Sequence, residues 1–483
     1  MPFKQSLEFA SVTELAHAIR EREISSYEVT AHVLSRIDKL NPRINAVVTL
    51  QAESALERAR QADEALARGE CWGLLHGVPC TVKDTFEMAG VRTTAGAEEL
   101  RDYLPAEDST VVHRLRSAGA VILAKTNTPR LGADWQTYNS IFGVTNNPYD
   151  LKRTPGGSSG GCAAAVCAGF SYLSVGSDMG GSIRIPASFC GIYGHKPSLG
   201  LIPSKGHIPP LPGKPPSDSG MGVRGPLARN PEDLKLAMLA LGGPDADESV
   251  AWSWSMPSAR CARTSEYRVG FVFDDRACPV SAEARVALDA AVAALIRAGA
   301  KVEEGWPSSL IPEHQYNVYR FLSLRRKASR LPGSRGALKL SKLADEMASE
   351  ASEGGWDNLK KQLFSSKGAV AAARCLWREY FQTHDAFLLP NTFVPAFPHD
   401  HVEPREERWL QTSEGPQPYL NLPFWVSFAT LAGLPATSAP VGFTPSGLPV
   451  GIQIIGPYLE DATPIDLAGR LADLIGGFRL PEI

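Results

Sequence analysis

The sequence predicts an α/β fold, built as one large domain around a largely parallel sheet. Two short apolar segments, LHGVPCTVK ending at Lys83 and AVILAKT ending at Thr126, flank an amphipathic helix near residues 109–118. A strand–helix–strand order of this kind is typical of a βαβ unit. The 483 residues are 43% hydrophobic, and no Gly/Ser linker or internal repeat divides them. These features favour a single domain over residues 1–483.

The first 70 residues are predicted to be helical. Ser11-Val-Thr-Glu14 and Ser25-Ser-Tyr-Glu28 match the capping-box pattern, and an apolar segment with helical spacing follows each. Gln51–Arg68 is predicted to be a third amphipathic helix with a polar outer face.

The rest of the chain continues to alternate between the two element types. Ala163–Gly169 and Ala282–Ala300 predict helices, residues 310–385 are mostly helical in pattern, and Ala462–Gly476 predicts a closing helix. The predicted strands are Ser171–Val175, Tyr267–Phe273, Asp385–Pro390 and Leu448–Gly456. Ile202–Ser217 contains six prolines and therefore predicts an irregular loop.

Charge and cysteine usage exclude several classes of protein. Lys and Arg number 49 against 52 Asp and Glu, and no basic stripe interrupts the balance, so neither nucleic acid nor an anionic membrane is an expected partner. The N-terminal residues lack the pattern of a signal peptide. The eight cysteines are scattered without a CxxC pair, which favours reduced thiols. We therefore expect a cytoplasmic protein.

Two glycine-rich segments each contain serine: TPGGSSGG, with Ser158 and Ser159, and GSDMGGS, ending at Ser182. Glycine pairs often mark only tight turns with positive φ. Two such loops instead favour a concavity lined by backbone N–H groups, which is the geometry of an oxyanion hole. Ser182, at the rim of such a loop, would be placed to attack a carbonyl carbon.

Other serine and glycine motifs fit the sequence less well. Gly156–Gly160 matches the G-x-S-x-G nucleophile elbow, but a polar, proline-broken segment precedes it instead of an apolar strand. No pattern singles out a catalytic histidine among His195, His207, His384 and His399. No lysine follows the glycines as a phosphate-binding Walker loop requires.

Without a histidine, the base that activates serine could be a neutral lysine. Lys83 and Lys125 both end apolar strands, where burial would lower a lysine pKa from about 10.4. The residues alone do not choose between the two.

Long ordered motifs resemble the amidase signature family. They are GVPCTVKD, FGVTNNPYDLKRTPGGSSGG, GSDMGGSIRIPASFCGIYGHKPS, and the C-terminal TLAGLPATSAPVGF and GLPVGIQIIGP. The resemblance implies a central twisted mixed β-sheet covered by α-helices on both faces. It also implies a catalytic core at about 74–200, with variable elaborations around the substrate entrance at about 202–265 and 305–410.

The resemblance further implies a Ser-Ser-Lys triad. Ser182 would be the nucleophile, Ser158 the bridging serine on a cis peptide bond, and Lys83 the base. The oxyanion hole would be formed by the backbone N–H groups of Met179, Gly180, Gly181 and Ser182.

Residues around this triad are also implied. Asp178 and Arg184 are expected to pair and, together with Ser159, to hold the shape of the loop. The family resemblance assigns Gly132 and Ala133 to the acyl pocket. Ser177 and Met179 depart from the commonest family pattern, in which threonine is frequent, and the proline-rich loop departs further.

Two remaining clusters do not predict a site. His399-Asp-His401 is the only metal-like group in the sequence, and three adjacent residues rarely suffice for a metal site. We therefore expect neither a metal nor a cofactor. Trp135, Trp252 and Trp254 either wall an aromatic pocket or fill the core and surface, and the sequence leaves this open.

The sequence thus predicts a hydrolase of linear amide C–N bonds that forms an acyl-enzyme with a small-molecule amide substrate. Carbamate (urethane) and ester bonds are related alternatives because they share the tetrahedral intermediate. A second interpretation is an amidotransferase subunit that releases ammonia from glutamine for a partner. A third is a catalytically inactive binding protein on the same fold. The sequence does not decide whether the protein forms a homodimer.

Overall fold

The fold is organised around one large sheet, seen in a computed structural model that describes residues 6–214, 220–329 and 366–483. The sheet has 11 strands. They are β1 (Val47–Leu50), β2 (Pro79–Lys83), β3 (Val121–Thr126), β4 (Leu173–Asp178), β5 (Tyr193–Lys196), β6 (Val223–Ala228), β7 (Arg268–Phe271), β8 (Lys301–Glu304), β9 (Ala386–Pro390), β10 (Ala436–Phe443) and β11 (Pro449–Ile455).

The described part of the chain contains 12 α-helices that cover this sheet. They are α1 (Val12–Arg20), α2 (Ser26–Ile44), α3 (Ala52–Ala67), α4 (Thr110–Ser117), α5 (Gly160–Cys167), α6 (Arg184–Phe189), α7 (Pro231–Leu241), α8 (Ala282–Arg297), α9 (Pro312–Ser329), α10 (Ser366–Tyr380), α11 (Phe424–Ala432) and α12 (Ala462–Ile475). None of the helices among the described residues is both long and apolar enough to cross a membrane.

The sheet is mixed, with the strand order β1-β3-β2-β4-β6-β5-β10-β11-β9-β7-β8. Parallel pairing joins β3, β2 and β4 near one end and β9, β7 and β8 at the other. The strands between these groups pair antiparallel. The expectation of a largely parallel sheet is therefore wrong. A βαβ pattern predicts the relative direction of its own two strands only, and not that of the other strands in the sheet. The mixed sheet implied by the family resemblance is confirmed.

Local signals predicted the three N-terminal helices but missed β1 (Val47–Leu50), which lies between α2 and α3 in the region expected to be helical. The side chains of Ser11 and Ser25 accept the backbone N–H of Glu14 and Glu28, whose carboxylates accept the serine N–H in return. Both predicted capping boxes are thus confirmed. Of the predicted helical region 310–385, residues 330–365 lie outside the described part of the chain.

Two neighbouring parallel strands position the candidate site. β2 ends at Lys83 and β4 ends at Asp178, so their carboxyl ends lie at the same edge of the sheet. The segment 202–214 is irregular, as its prolines predict, and the Ile208–Pro209 and Pro209–Pro210 peptide bonds are cis. This segment runs past the same edge, where the Ile208 N–H donates to the Thr85 carbonyl at 2.8 Å.

Candidate active site

Lys83 and Ser158 are in direct contact at the end of β2. Lys83 is fully buried, and its Nζ donates to Ser158 Oγ at 2.7 Å and to Ser177 Oγ at 3.2 Å. The peptide bond between Gly157 and Ser158 is cis. The lysine therefore faces two hydroxyl groups.

Burial lowers the pKa of Lys83 from its ordinary value to about 8, because a charged ammonium loses its hydration inside the protein. The neighbouring Cys162 and Asp178 oppose this shift. Burial also raises the pKa of the Cys162 thiol, so at neutral pH it carries no charge that could stabilise the ammonium. A substantial neutral fraction of Lys83 is thus present near pH 8.

Ser182 lines the same cavity as Ser158 and is partly accessible. The structure places the two serine loops against each other, since the Ser159 N–H donates to the Ser182 carbonyl at 3.1 Å. The Ser159 hydroxyl also bridges to the backbone of Ser177, with both contacts at 3.3 Å. Ser159 thereby joins the loop that precedes α5 to the end of β4.

This cavity brings together five of the predicted site residues, namely Gly132, Ser158, Asp178, Met179 and Ser182. Its lining includes Gly132, Ser158, Ser177, Met179, Ser182 and Arg224. A Cβ atom on Gly132 would lie 3.3 Å from Ser158 Oγ, and Gly132 has a φ of 64°. Ala133 is not part of the cavity lining, and its carbonyl instead accepts from Arg405.

The structure separates the two lysines between which the residues alone did not choose. Lys125 is also buried, but its Nζ lies 3.1 Å from Asp84 Oδ1 and donates to the Phe86 carbonyl at 2.7 Å. Burial lowers the pKa of Lys125 as well, but the charge and hydrogen bond of Asp84 oppose this shift, and a lysine that is paired with a carboxylate is a poor base. Among the two, Lys83 has the environment that a general base needs.

The histidine alternatives do not assemble an elbow-type triad around Ser158. His195 is buried between Thr437 at 2.9 Å and Asp461 at 3.0 Å. His207 reaches the cavity, where its Nε2 lies 3.1 Å from Thr85 Oγ1. His399 contacts Asn146, at 3.1 Å.

Asp178 and Arg184 form a buried bidentate ion pair. Arg184 Nη2 donates to Asp178 Oδ1 at 2.8 Å and Nε donates to Oδ2 at 3.0 Å. Burial alone would raise the pKa of Asp178, but the charge and hydrogen bonds of Arg184 outweigh it and lower the pKa to about 2. The same carboxylate accepts the N–H of Gly181 at 2.9 Å and of Ile183 at 3.1 Å.

The peptide unit between Gly180 and Gly181 is held from both sides. Its N–H donates to Asp178, while its carbonyl accepts the indole N–H of Trp135 at 2.8 Å. Gly181 is therefore not a free oxyanion donor, which departs from the expectation of four such groups. The N–H groups of Met179, Gly180 and Ser182 remain as candidates.

Sequence reasoning missed several supporting residues. Arg184 also donates to the Val426 carbonyl and to Thr430 Oγ1, both at 2.8 Å, and to the Gln453 side chain. These partners come from α11 and β11, so only the fold brings them to the loop. Trp135 could be noticed in the sequence as a single tryptophan shortly after Gly132. The sequence did not indicate that its indole N–H donates to the Gly180 carbonyl.

The remaining clusters lie outside this cavity. No group of three or more possible metal-ligating side chains occurs within the described residues. His401 stacks on Tyr138 with ring centroids 3.9 Å apart. Trp252 and Trp254 line a separate surface groove with Leu74.

Comparisons with known proteins extend over nearly the whole chain. The profile of the family described as "Amidase" matches residues 28–464. The chain is 33% identical to a subunit of the glutamyl-tRNA(Gln) amidotransferase of Carboxydothermus hydrogenoformans over 96% of both chains.

Solved structures extend the comparison. A chain from a vestigial protein complex, described as revealing the origins of an s-triazine catabolic enzyme, aligns with a TM-score of 0.79 and 28% identity over 97% of this chain and 99% of its own. A 6-aminohexanoate cyclic dimer hydrolase aligns with a TM-score of 0.77 and 27% identity over 98% of both chains.

The buried ion pair generates a prediction about stability. Asp178→Asn leaves the Arg184 charge buried without its partner, so the free energy of unfolding should fall by about 3–5 kcal/mol. Urea unfolding monitored by fluorescence measures this change. The double variant Asp178→Asn/Arg184→Gln should recover much of the loss.

A matched control is the exposed Glu57–Arg60 pair on α3, where Glu57→Gln should cost far less. Equal losses for the buried and the exposed substitution would contradict the assignment of Asp178 and Arg184 as a stabilising pair.

Proposed function

The chain belongs to the Amidase family, and from this premise we propose that it hydrolyses linear amide C–N bonds through an acyl-enzyme on Ser182. The observation that carries the proposal is the contact of Lys83 Nζ with Ser158 Oγ at 2.7 Å, in the cavity that Ser182 lines. Lys83 is buried and is not directly ion-paired with a carboxylate in the described structure, which suits it to act as a base.

In the proposed reaction, Ser182 Oγ attacks the amide carbon. Its proton passes to Ser158 Oγ, and the proton of Ser158 passes to neutral Lys83 Nζ. Collapse of the tetrahedral intermediate breaks the C–N bond, and the proton returns through Ser158 to the leaving amine. Water then attacks the acyl-enzyme with the same proton relay, which releases the acid and restores Ser182.

The backbone of the 179–182 loop supplies the proposed oxyanion cradle. Donors that are fixed before the reaction stabilise the developing negative charge without the cost of reorganisation. Asp178 and Trp135 hold the central peptide unit of this loop, which supports N–H groups of fixed direction on either side. Carbamates and esters pass through a similar intermediate, so cleavage of these bonds is proposed as a side activity.

A second candidate is the glutaminase role within an amidotransferase. This role is favoured because the glutamyl-tRNA(Gln) amidotransferase subunit of Carboxydothermus hydrogenoformans is similar to this chain over 96% of both chains. The chemistry at Ser182 would be the same, with ammonia as the product. The two candidates differ in whether the isolated chain is fully active and in whether L-glutamine is the preferred amide.

The first test is labelling with a serine-reactive fluorophosphonate, followed by peptide mapping. We expect the adduct on Ser182, and Ser182→Ala should abolish it. Ser158→Ala keeps the nucleophile and should only slow labelling. An adduct on Ser158 in the native chain would contradict the proposed roles, and no adduct on folded protein would favour a binding function.

The pKa of Lys83 predicts the pH dependence of the reaction. Because the neutral lysine is the active form, kcat/KM should rise about tenfold per pH unit below pH 8 and level off above it. Steady-state kinetics from pH 6 to 9.5 measure this profile, with unfolding monitored at each pH as the control. In Lys83→Met, residual activity with an unchanged profile would refute this assignment.

The contact of Trp135 predicts a positioning role. Trp135→Phe removes the N–H that holds the Gly180 carbonyl, so kcat should fall on the order of tenfold with little change in KM. Affinity for an aldehyde analogue of the tetrahedral intermediate should fall by a similar factor. Trp252→Phe, in the separate groove, is the matched control and should leave both values unchanged. Equal kinetics for the two variants would remove Trp135 from the mechanism.

A further inference from the structure

A buried ion pair lies next to Trp135, whose indole N–H holds the Gly180 carbonyl. Asp134, the residue before Trp135, has its Oδ2 atom 2.9 Å from Arg408 Nη1, and the Arg408 side chain is buried. Burial alone would lower the pKa of Arg408, but the charge of Asp134 outweighs it and raises the pKa, so the guanidinium stays charged. Asp134 Oδ1 accepts the backbone N–H of Trp135 at 2.7 Å. The carboxylate therefore connects the guanidinium to the backbone of Trp135.

Tyr419 joins this ion pair and also contacts the indole. Its hydroxyl donates to Asp134 Oδ1, and its ring meets the ring of Trp135 edge to face, with the centroids 5.6 Å apart. Tyr419 is fully buried, and burial together with the charge of Asp134 raises the pKa of its hydroxyl, which therefore remains a donor at neutral pH. A change at Tyr419 thus reaches Trp135 both through the carboxylate and through the ring contact.

Arg408 and Tyr419 come from one partly exposed segment that is distant in sequence from the loop that they contact. This hairpin segment, residues 400–419, contains two short antiparallel strands, Trp409–Thr412 and Gly415–Pro418. Arg408 immediately precedes the first strand and Tyr419 immediately follows the second, and the Tyr419 N–H donates to the Arg408 carbonyl at 3.0 Å. The base of the hairpin thus brings a guanidinium and a phenol hydroxyl to the same carboxylate.

The hairpin segment holds the loop of Trp135 at further points. The Asp400 N–H donates to Gln136 Oε1 at 3.0 Å, and Gln136 is fully buried. Arg408 Nη2 donates to the Tyr138 hydroxyl at 2.8 Å. The residues on both sides of these bonds are separated by more than 260 positions in the sequence. The direction of the loop therefore depends on the hairpin segment being in place.

From Trp135 the contacts continue to the proposed oxyanion cradle. The peptide unit whose carbonyl accepts from the indole is the one whose N–H, on Gly181, donates to Asp178. Each peptide unit is planar, so a rotation of this unit changes the backbone dihedrals on either side and turns the neighbouring N–H groups. Such groups stabilise an oxyanion only when they point at the position of its oxygen. The indole contact therefore bears on the direction of the donors.

We propose that Arg408 and Tyr419 are positioning residues of this site: through Asp134 they set the indole of Trp135 and thereby the direction of the oxyanion donors. This inference rests on the proposed function and adds the hairpin segment to the parts of the chain on which the rate depends. Neither side chain is among the described residues that line the cavity of Ser182. Their effect on the reaction is therefore exerted through Trp135 and not by contact with the substrate.

The first test removes one hydroxyl group. Tyr419→Phe keeps the ring against the indole and deletes the hydrogen bond to Asp134. With the best substrate from a panel of 4-nitroanilides and primary amides, kcat should fall about three- to tenfold and KM should stay within about twofold, because a small misplacement of donors acts on the transition state. Affinity for an aldehyde analogue of the tetrahedral intermediate should fall by the same factor as kcat.

Tyr267 provides a matched control in a similar cluster outside the cavity. Its buried hydroxyl donates to Asp466 Oδ2 at 2.7 Å, and the same carboxylate oxygen accepts from Arg470 Nε at 2.6 Å. Tyr267→Phe removes the same type of bond and should leave kcat, KM and aldehyde affinity unchanged. Equal kinetics for Tyr267→Phe and Tyr419→Phe would overturn the inference, as would a rise in KM at unchanged kcat in Tyr419→Phe.

A double-mutant cycle tests whether Tyr419 and Arg408 act through Trp135. In the Trp135→Phe background the indole bond is already absent, so adding Tyr419→Phe should change kcat by less than about twofold. Arg408→Lys keeps a positive charge beside Asp134 but loses the planar set of donors, so it should lower kcat in the native background and not in Trp135→Phe. Urea unfolding checks that each variant is folded. Losses that multiply in the double variants would overturn the inference, because they would show independent effects.

Labelling of Ser182 separates this inference from the proposed function. When Ser182 Oγ attacks a fluorophosphonate, its bond to phosphorus forms, fluoride leaves, and negative charge develops on a phosphoryl oxygen in the same cradle, without cleavage of an amide. The second-order rate constant of labelling should fall about three- to tenfold in Tyr419→Phe and stay unchanged in Tyr267→Phe. This result without turnover of any amide by the native chain would support the positioning role and refute the proposed hydrolysis. Amide turnover and labelling that are both unaffected by Tyr419→Phe would overturn the positioning role and leave the proposed function standing.

Discussion

The environment of the site depends on one constraint: Lys83 must be buried without a carboxylate to hold its proton. Burial lowers the pKa of Lys83, and a directly paired carboxylate would restore it. Two carboxylates lie close by in the fold, and each is engaged by another cation. Asp84 is paired with Lys125, and Asp178 is paired with Arg184. Lys83 is left facing the hydroxyls of Ser158 and Ser177.

The same ion pair links the base to the backbone loop. Asp178 ends β4 and accepts N–H groups from the loop that follows, so the residue that could have stabilised the lysine charge instead shapes the loop. Arg184 extends this support to α11 through Val426 and Thr430. Residues of α11 thus stabilise a loop that lies more than 200 residues earlier in the chain.

The sequence predicts features that depend on neighbouring residues and leaves open those that depend on distant ones. The capping serines Ser11 and Ser25 act within one helical turn, and both were predictable. The residues alone did not choose between Lys83 and Lys125, because the choice depends on which side chain Asp84 faces after folding, and only the family resemblance implied Lys83. The orientation of strands β5, β6 and β10 was not predictable either, because their pairing partners are set by tertiary packing.

Reaction and substrate depend on different parts of this structure. The proposed base and nucleophile lie on strand ends and tight loops that are fixed by buried contacts of Lys83, Asp178 and Trp135. The entrance is formed by the partly exposed proline-rich segment, which contributes Lys205, and by the buried strand β6, which contributes Arg224. An independent hydrolase and the glutaminase component of an amidotransferase can therefore share the first part and differ in the second. For that reason, membership of the family supports cleavage of an amide bond but does not identify the molecule that contains the bond.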